Sequence, residues 1–185
     1  MTEKVNKSNS IIITLDVDAL LFEKLAKISS NNFSMIELNT SEPTILKKAM
    51  TDFPRLQIGA GNITNSQQLE DCCKAGVHFV TSPGFLATLA QTAEIYSIKY
   101  IPSIATISEA MQAMAIGCKN VRILPANLNL CAILNKSLPL LRLFPAEIEW
   151  EEVEHFLNLP AVAAVSVINP EIRQLKHLSD SLATV

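Results

Sequence analysis

Eight short apolar runs, each followed by a longer stretch with helical spacing, constrain the fold of this chain more than any single motif does. The runs are "IIITL" (11–15), "FSMIEL" (33–38), "LQIGA" (56–60), "HFVTS" (78–82), "KYIPS" (99–103), "NVRIL" (120–124), "LLRLF" (140–144) and "AVAAV" (161–165). They recur roughly every 20 to 25 residues. Near-continuous apolar strands separated by amphipathic helices imply parallel strands buried on both faces, because the helices cover the outside. Eight such units predict a short, single-domain (β/α)8 TIM barrel; an open doubly wound sheet is the alternative, since 185 residues is short for a barrel.

The intervening segments carry helix signals. In "TNSQQLEDCCKAG", Asn65 or Ser66 is placed to cap the start, Leu69, Cys72 and Cys73 mark a buried stripe, and Gly76 suits a left-handed exit. "TISEAMQAMAIG" repeats the scheme with Ser108, then Ala110, Met111 and Met114, then Gly117. "IEWEEVEHFLNLP" sets Trp150, Val153, Phe156 and Leu157 on one side and Glu151, Glu152 and Glu154 elsewhere, which reads as a solvated face. In a barrel, function gathers where strands end, here near 37–41, 59–62, 82–84, 102–106, 122–126, 145–147 and 166–169.

Composition narrows the chemistry. Hydrophobic residues make up 49% and charged ones 18%, with a net charge of -3 and no basic block, so no electrostatic footprint for nucleic acid is expected. Cys72, Cys73, Cys118 and Cys131 lack metal-ligand spacing, and an adjacent pair points to different helix faces; reduced cytoplasmic thiols and no metal are expected. Residues 1–9 read as a flexible polar arm and 10–185 as the barrel domain. No apolar run approaches the roughly 18 residues of a membrane span, so no membrane partner is expected.

Glu37 stands among Met35, Ile36 and Leu38, and a carboxylate in such a strand is costly to bury unless it is partnered or functional. "IGAGNI" has glycines at 59 and 61, which allow close backbone approach at a strand end. In order and spacing, "MIELNT", "LQIGAGNI", "AGVHFVTSPGF", "IKYIPSIATISEAMQAMAIG" and "VRILPAN" resemble the 2-keto-3-deoxy-6-phosphogluconate and 4-hydroxy-2-oxoglutarate (KDPG/KHG) aldolases, over about residues 11–170. The resemblance implies a homotrimeric (β/α)8 barrel and a carbon-carbon lyase that needs no metal or other cofactor. In that chemistry a strand-six lysine forms a Schiff base with a 2-oxo acid such as pyruvate, and a strand-two glutamate shuttles protons. Glu37 matches the glutamate, and Pro83 matches a proline beside the substrate. Around the substrate the resemblance places Ser41, Gly61, Asn62, Pro83, Ser103 and Pro125.

Against that pattern, Arg122 stands at the Schiff-base position. A guanidinium keeps its proton at accessible pH and offers no neutral amine to a carbonyl. Lys119 is no substitute, because it lies three residues back, on the opposite strand face and about 10 Å toward the wrong end. Ser41 stands where the family has a carboxylate-gripping arginine, and Asn62 where it has a threonine. The family's glycine turns that hold phosphate after strands seven and eight are replaced by "FPAEI", with Glu147, and "VSVIN", with Ser166 and Val167.

Two readings follow. In one, a lyase acts on a small 2-oxo acid by altered chemistry, with Glu37 as acid/base and Arg122 as a carbonyl polariser or bidentate carboxylate fork. In the other, the barrel is catalytically inactive and serves as a binding or oligomeric scaffold. A phosphate-handling barrel isomerase is a weaker third. In the inactive reading, inward side chains of strands two and six are expected to meet across the interior as a Glu37–Arg122 pair, with the cation holding Glu37 ionised and its pKa low.

Overall fold

The computed structural model describes residues 10–31 and 33–171; the expected arm over 1–9 and the end of the expected barrel domain lie outside them. Eight parallel strands alternate with helices: β1 Ile11–Leu15, α1 Leu21–Ser30, β2 Met35–Leu38, α2 Pro43–Asp52, β3 Gln57–Ala60, α3 Ser66–Ala75, β4 Phe79–Ser82, α4 Ala87–Ile95, β5 Lys99–Ile104, α5 Ile107–Ala115, β6 Asn120–Ile123, α6 Leu128–Ser137, β7 Arg142–Pro145, a 3-10 turn at Trp150–Glu152 running into α7 Val153–Leu157, and β8 Val165–Ile168. The strand order β7-β6-β5-β4-β3-β2-β1-β8 runs round the sheet without the reversal that a doubly wound sheet has, which excludes that alternative. The remaining seam is narrow. Leu143 donates to the Ala161 carbonyl at 2.8 Å and accepts from the Ala163 amide at 2.9 Å, which brings β7 against the segment leading into β8 and makes this a (β/α)8 barrel in one domain.

That seam accounts for one displaced element. The run 161–165 was expected as the last strand, whereas the strand is Val165–Ile168 and Val162 contributes only an isolated bridge to Leu143. Ala161 to Ala163 do pair, with β7 alone, and pairing with β1 starts at Val165.

The helices follow local chemistry. Asn65 caps α3 by accepting from the Gln68 amide at 3.0 Å, and Gly76 leaves it at φ 87°, where a side chain would be strained. For α5 the cap is Thr106, not Ser108. Its hydroxyl accepts from the Glu109 amide at 3.2 Å while the Glu109 carboxylate accepts from the Thr106 amide at 2.9 Å, a reciprocal capping box. Starting the helix at Ile107 turns Ala110 and Ala113 inward and leaves Met111, expected in the stripe, 57% exposed.

Two apolar cores result. Outward strand residues such as Ile36, Leu38, Val121 and Ile123 pack beneath the helices. Inside the barrel, Ile12, Phe79, Ile101, Phe144 and Ala164 form a separate plug with Met35 and Ala163 against it. Gly59 makes room for this plug: a Cβ there would stand 2.3 Å from the Phe79 ring, which is 2% exposed. Gly59→Ala is therefore expected to cost about 1–3 kcal/mol in urea denaturation, the usual price of overpacking. Phe79→Leu in the same chain should recover part of the loss, and a double-mutant cycle showing strict additivity would refute the contact.

Candidate functional site

Side chains alternate between the two faces of a strand, so the positions two residues beyond the plug also point inward. At those positions the barrel turns polar. Thr14, Glu37, Thr81, Ser103, Arg122 and Ser166 are all buried, contributed by β1, β2, β4, β5, β6 and β8. In β2 the apolar neighbours Ile36 and Leu38 belong to the outer core, which commits Glu37 to the interior; Val121 and Ile123 do the same for Arg122. The expected pair is present. Arg122 Nη1 donates to Glu37 Oε1 at 2.7 Å and reaches Thr81 Oγ1 at 3.2 Å, with Glu37 1% and Arg122 5% exposed. Thr14 and Ser166 hydroxyls meet at 3.1 Å.

The electrostatic expectation for Glu37 is overturned. Burial pushes its carboxyl up, and the Arg122 guanidinium and Thr81 hydroxyl only partly pull it back. Removing the carboxylate from water outweighs one cationic neighbour, and the nearby Glu147 charge adds to the rise. Glu37 therefore holds its proton more readily than an ordinary carboxyl, even with the Arg122 guanidinium beside it.

Glu147 approaches from the mouth. Its Oε1 lies 4.0 Å from Arg122 Nη2, and its backbone sits at φ 58°, a left-handed conformation that disfavours a non-glycine residue. Sequence reading saw Glu147 only as a charge hostile to phosphate and missed its approach to Arg122. Two other groups stand out: Arg122 Nε and Ser103 Oγ are buried and make no hydrogen bond among the described residues, although Ser103 and Arg122 are register partners on adjacent strands.

Gly61 belongs to this centre as well, because a Cβ on it would stand 2.8 Å from Glu37 Oε1 and 2.5 Å from Asn39 Oδ1. The other sequence candidates are peripheral. Ser41 is half-buried beyond β2, while Asn62, at φ 61°, and Pro83 and Pro125 are exposed at the strand ends; Pro125 follows a cis peptide bond. Lys119 precedes β6, and its carbonyl accepts from the Arg142 amide at 2.9 Å, at the opposite end of the barrel from the mouth.

Sequence reading missed Thr81, Thr14 and a rim clasp. Asp16 accepts from Asn39 and Asn169 side chains, each at 2.8 Å, and both bonds hold its carboxyl below the usual range. The clasp ties the ends of β1, β2 and β8. Period-two counting from Ile12 and Phe79 would have found Thr14 and Thr81; the clasp joins residues 153 apart and has no local signal.

The family model for KDPG and KHG aldolase matches residues 15–171. The chain belongs to this family. It is 38% identical over 78 residues to the KHG/KDPG aldolase of Escherichia coli (strain K12), a stretch that covers 42% of this chain and 37% of that protein. The 2-dehydro-3-deoxy-phosphogluconate aldolase of Pseudomonas aeruginosa is 25% identical over 121 residues, 64% of this chain and 55% of the relative. The matched stretch thus spans well under two-thirds of these curated relatives. Among solved structures, the KDPG aldolase of Legionella pneumophila, with pyruvate captured as a covalent carbinolamine, superposes with TM-score 0.78 at 23% identity, over 97% of this chain and 93% of that one. The Zymomonas mobilis KDPG aldolase with 3-phosphoglycerate gives TM-score 0.82 at 20% identity, over 96% and 92%. At such identities the likeness is one of fold.

In this member of the KDPG/KHG aldolase family the polar layer is held by one ion pair, and its removal has a defined cost. Arg122→Ala is expected to destabilise by about 3–5 kcal/mol near neutral pH, because Glu37 is left buried without its cation. The variant also drives Glu37 further up. A carboxyl raised in the folded state contributes stability that is fully present below its unfolded value, near 4.5, and is lost as pH rises through the folded value. The penalty should therefore shrink as pH falls toward 4.5, a trend that urea titrations of both proteins across pH 4–8 would measure; a pH-independent penalty would disprove it.

Proposed function

We propose that this chain is an aldolase-family barrel that does not perform imine-dependent cleavage, its reaction centre being occupied by the Glu37–Arg122 pair. The 2.7 Å contact carries the reading: where the resemblance puts a nucleophilic lysine, a permanently charged guanidinium is spent on the would-be proton carrier. Among the described residues no other lysine substitutes. Lys119 is at the far end, and the remaining buried layer offers only hydroxyls, one carboxyl and the guanidinium.

One observation favours retained binding of a small 2-oxo acid over a bare scaffold. Arg122 Nε and Ser103 Oγ are buried donors without partners, an arrangement that a carboxylate satisfies by taking the Nε edge of the guanidinium while the serine hydroxyl reaches an adjacent oxygen. Glu37, raised by burial, would then exchange a proton with the bound acid without a covalent link. Glu37 and Arg122 act at the centre in this reading, Gly61 and Ser103 line it, and Ser41, Asn62, Pro83 and Pro125 flank the approach. A homotrimer, as the resemblance implies, fits the exposure of Ile95 (79%) and Leu140 (80%). The free cysteines suit a reducing cytoplasmic setting: burial pushes the Cys72 thiol up to about 12 and Cys131 up to about 11, where neither is reactive.

Borohydride in the presence of pyruvate or glyoxylate tests the central point. No adduct is expected on any lysine of the wild-type protein, and a lysine adduct mapped by mass spectrometry would end the proposal. Arg122→Lys keeps a cation beside Glu37 and should fold with a smaller loss than Arg122→Ala. It is also expected to gain a trappable pyruvate adduct at the new amine.

A further inference from the structure

The end of the barrel opposite Glu37 and Arg122 contains a polar cavity. It has a volume of about 340 Å3 and is lined by Gln57, Lys99, Asn120 and Arg142, with Met35 and Phe144 among its walls. Each of those four polar residues is the first of its strand, β3, β5, β6 and β7, so the cavity lies at the N-terminal floor. The apolar plug of Ile12, Phe79, Ile101 and Phe144 separates it from the mouth.

Its charge is unbalanced. Neither Lys99 nor Arg142 has a carboxylate within ion-pair distance among the described residues, and no acidic side chain lines the cavity. The Lys99 ammonium is held 4.9 Å from the centroid of the Phe144 ring, a cation-π contact that keeps it turned under the plug. Lys99 and Arg142 line the same cavity, and burial, followed by the Arg142 charge, lowers the Lys99 pKa. Gln57 and Asn120 add amide donors. A neighbouring cavity of about 300 Å3 shares Lys99 and Asn120 but includes Glu94, which makes it the poorer place for negative charge.

We propose that the barrel floor is a binding site for a compact oxyanion with two or more negative charges, held by Lys99 and Arg142 and oriented by Gln57 and Asn120. Such a ligand removes the repulsion between the cations and gains charge-assisted hydrogen bonds in an open hollow, where Gln57, Lys99 and Arg142 are exposed and Asn120 is half-buried. Phosphate and a small polycarboxylate share this chemistry. The fork of Arg142 and the single point charge of Lys99 suit a tetrahedral or branched anion rather than a flat monocarboxylate.

The test uses the full chain at constant ionic strength, with inorganic phosphate, sulfate, citrate and acetate as separate probes in calorimetry, and amide spectra recorded alongside. Saturable binding of at least one multivalent probe is expected, with acetate weaker and with the Gln57 and Asn120 side-chain amides shifting. Lys99→Gln and Arg142→Gln should each weaken that binding by roughly tenfold or more, the effect of losing one charge-assisted contact, while Lys99→Arg keeps it. Phosphate against citrate identifies the source of the charge. Absence of saturable binding by all three multivalent probes would overturn the site, as would binding that Lys99→Gln and Arg142→Gln leave unchanged. Loss of binding in Ser103→Ala with retention in Arg142→Gln would place the anion at the mouth and equally overturn it.

Discussion

A buried ion pair governs the upper half of this barrel. Moving a carboxyl and a guanidinium out of water costs several kcal/mol each, and a single contact at 2.7 Å with a threonine hydroxyl beside it does not return all of that. The rise in the Glu37 pKa is the electrostatic trace of the shortfall, and the unpartnered Arg122 Nε is its geometric trace. The apolar floor beneath the pair supports it. Phe79 packs so close to β3 that glycine stands at 59, and the polar layer rests on the apolar plug.

Much of the fold was legible because a parallel barrel repeats one instruction. Each strand is apolar on its outer face and each following helix is amphipathic, so seven of the expected runs coincide with strands to within two residues at either end. The last did not, for a reason that local sequence cannot carry. Whether Ala161 to Ala163 form the strand or only lead into it depends on how far β8 slides along β1 and β7, which is a property of closure. The α5 cap was misplaced by a nearer cause: Ser108 and Thr106 are both competent, and the choice falls to whichever has a glutamate three residues on.

The site was legible in part. Glu37 and Arg122 announced themselves as charges inside apolar strands, and alternation placed both in the interior. The direction of the Glu37 shift was read wrongly, because a sequence shows the neighbouring cation but not the completeness of burial, and burial dominates. Asp16, Asn39 and Asn169 were invisible singly. Each is an ordinary polar residue after a strand, and only the circular order of β8, β1 and β2 makes them a clasp.

Glu147, at φ 58°, occupies a backbone geometry natural to glycine, so the turn after β7 keeps a glycine-like conformation while carrying a carboxylate. That carboxylate lies 4.0 Å from Arg122 Nη2, and Glu37 takes Nη1. Arg122 is therefore flanked by two acids of different character, one enclosed and raised by burial, the other 45% exposed and free to leave. An incoming carboxylate would displace the exposed partner at little cost, since an ion pair in contact with water contributes about 1 kcal/mol or less. The buried partner would stay, because separating it strands a charge in the interior. The asymmetry makes the outer side of Arg122 the more exchangeable one, the side on which the proposed carboxylate would bind.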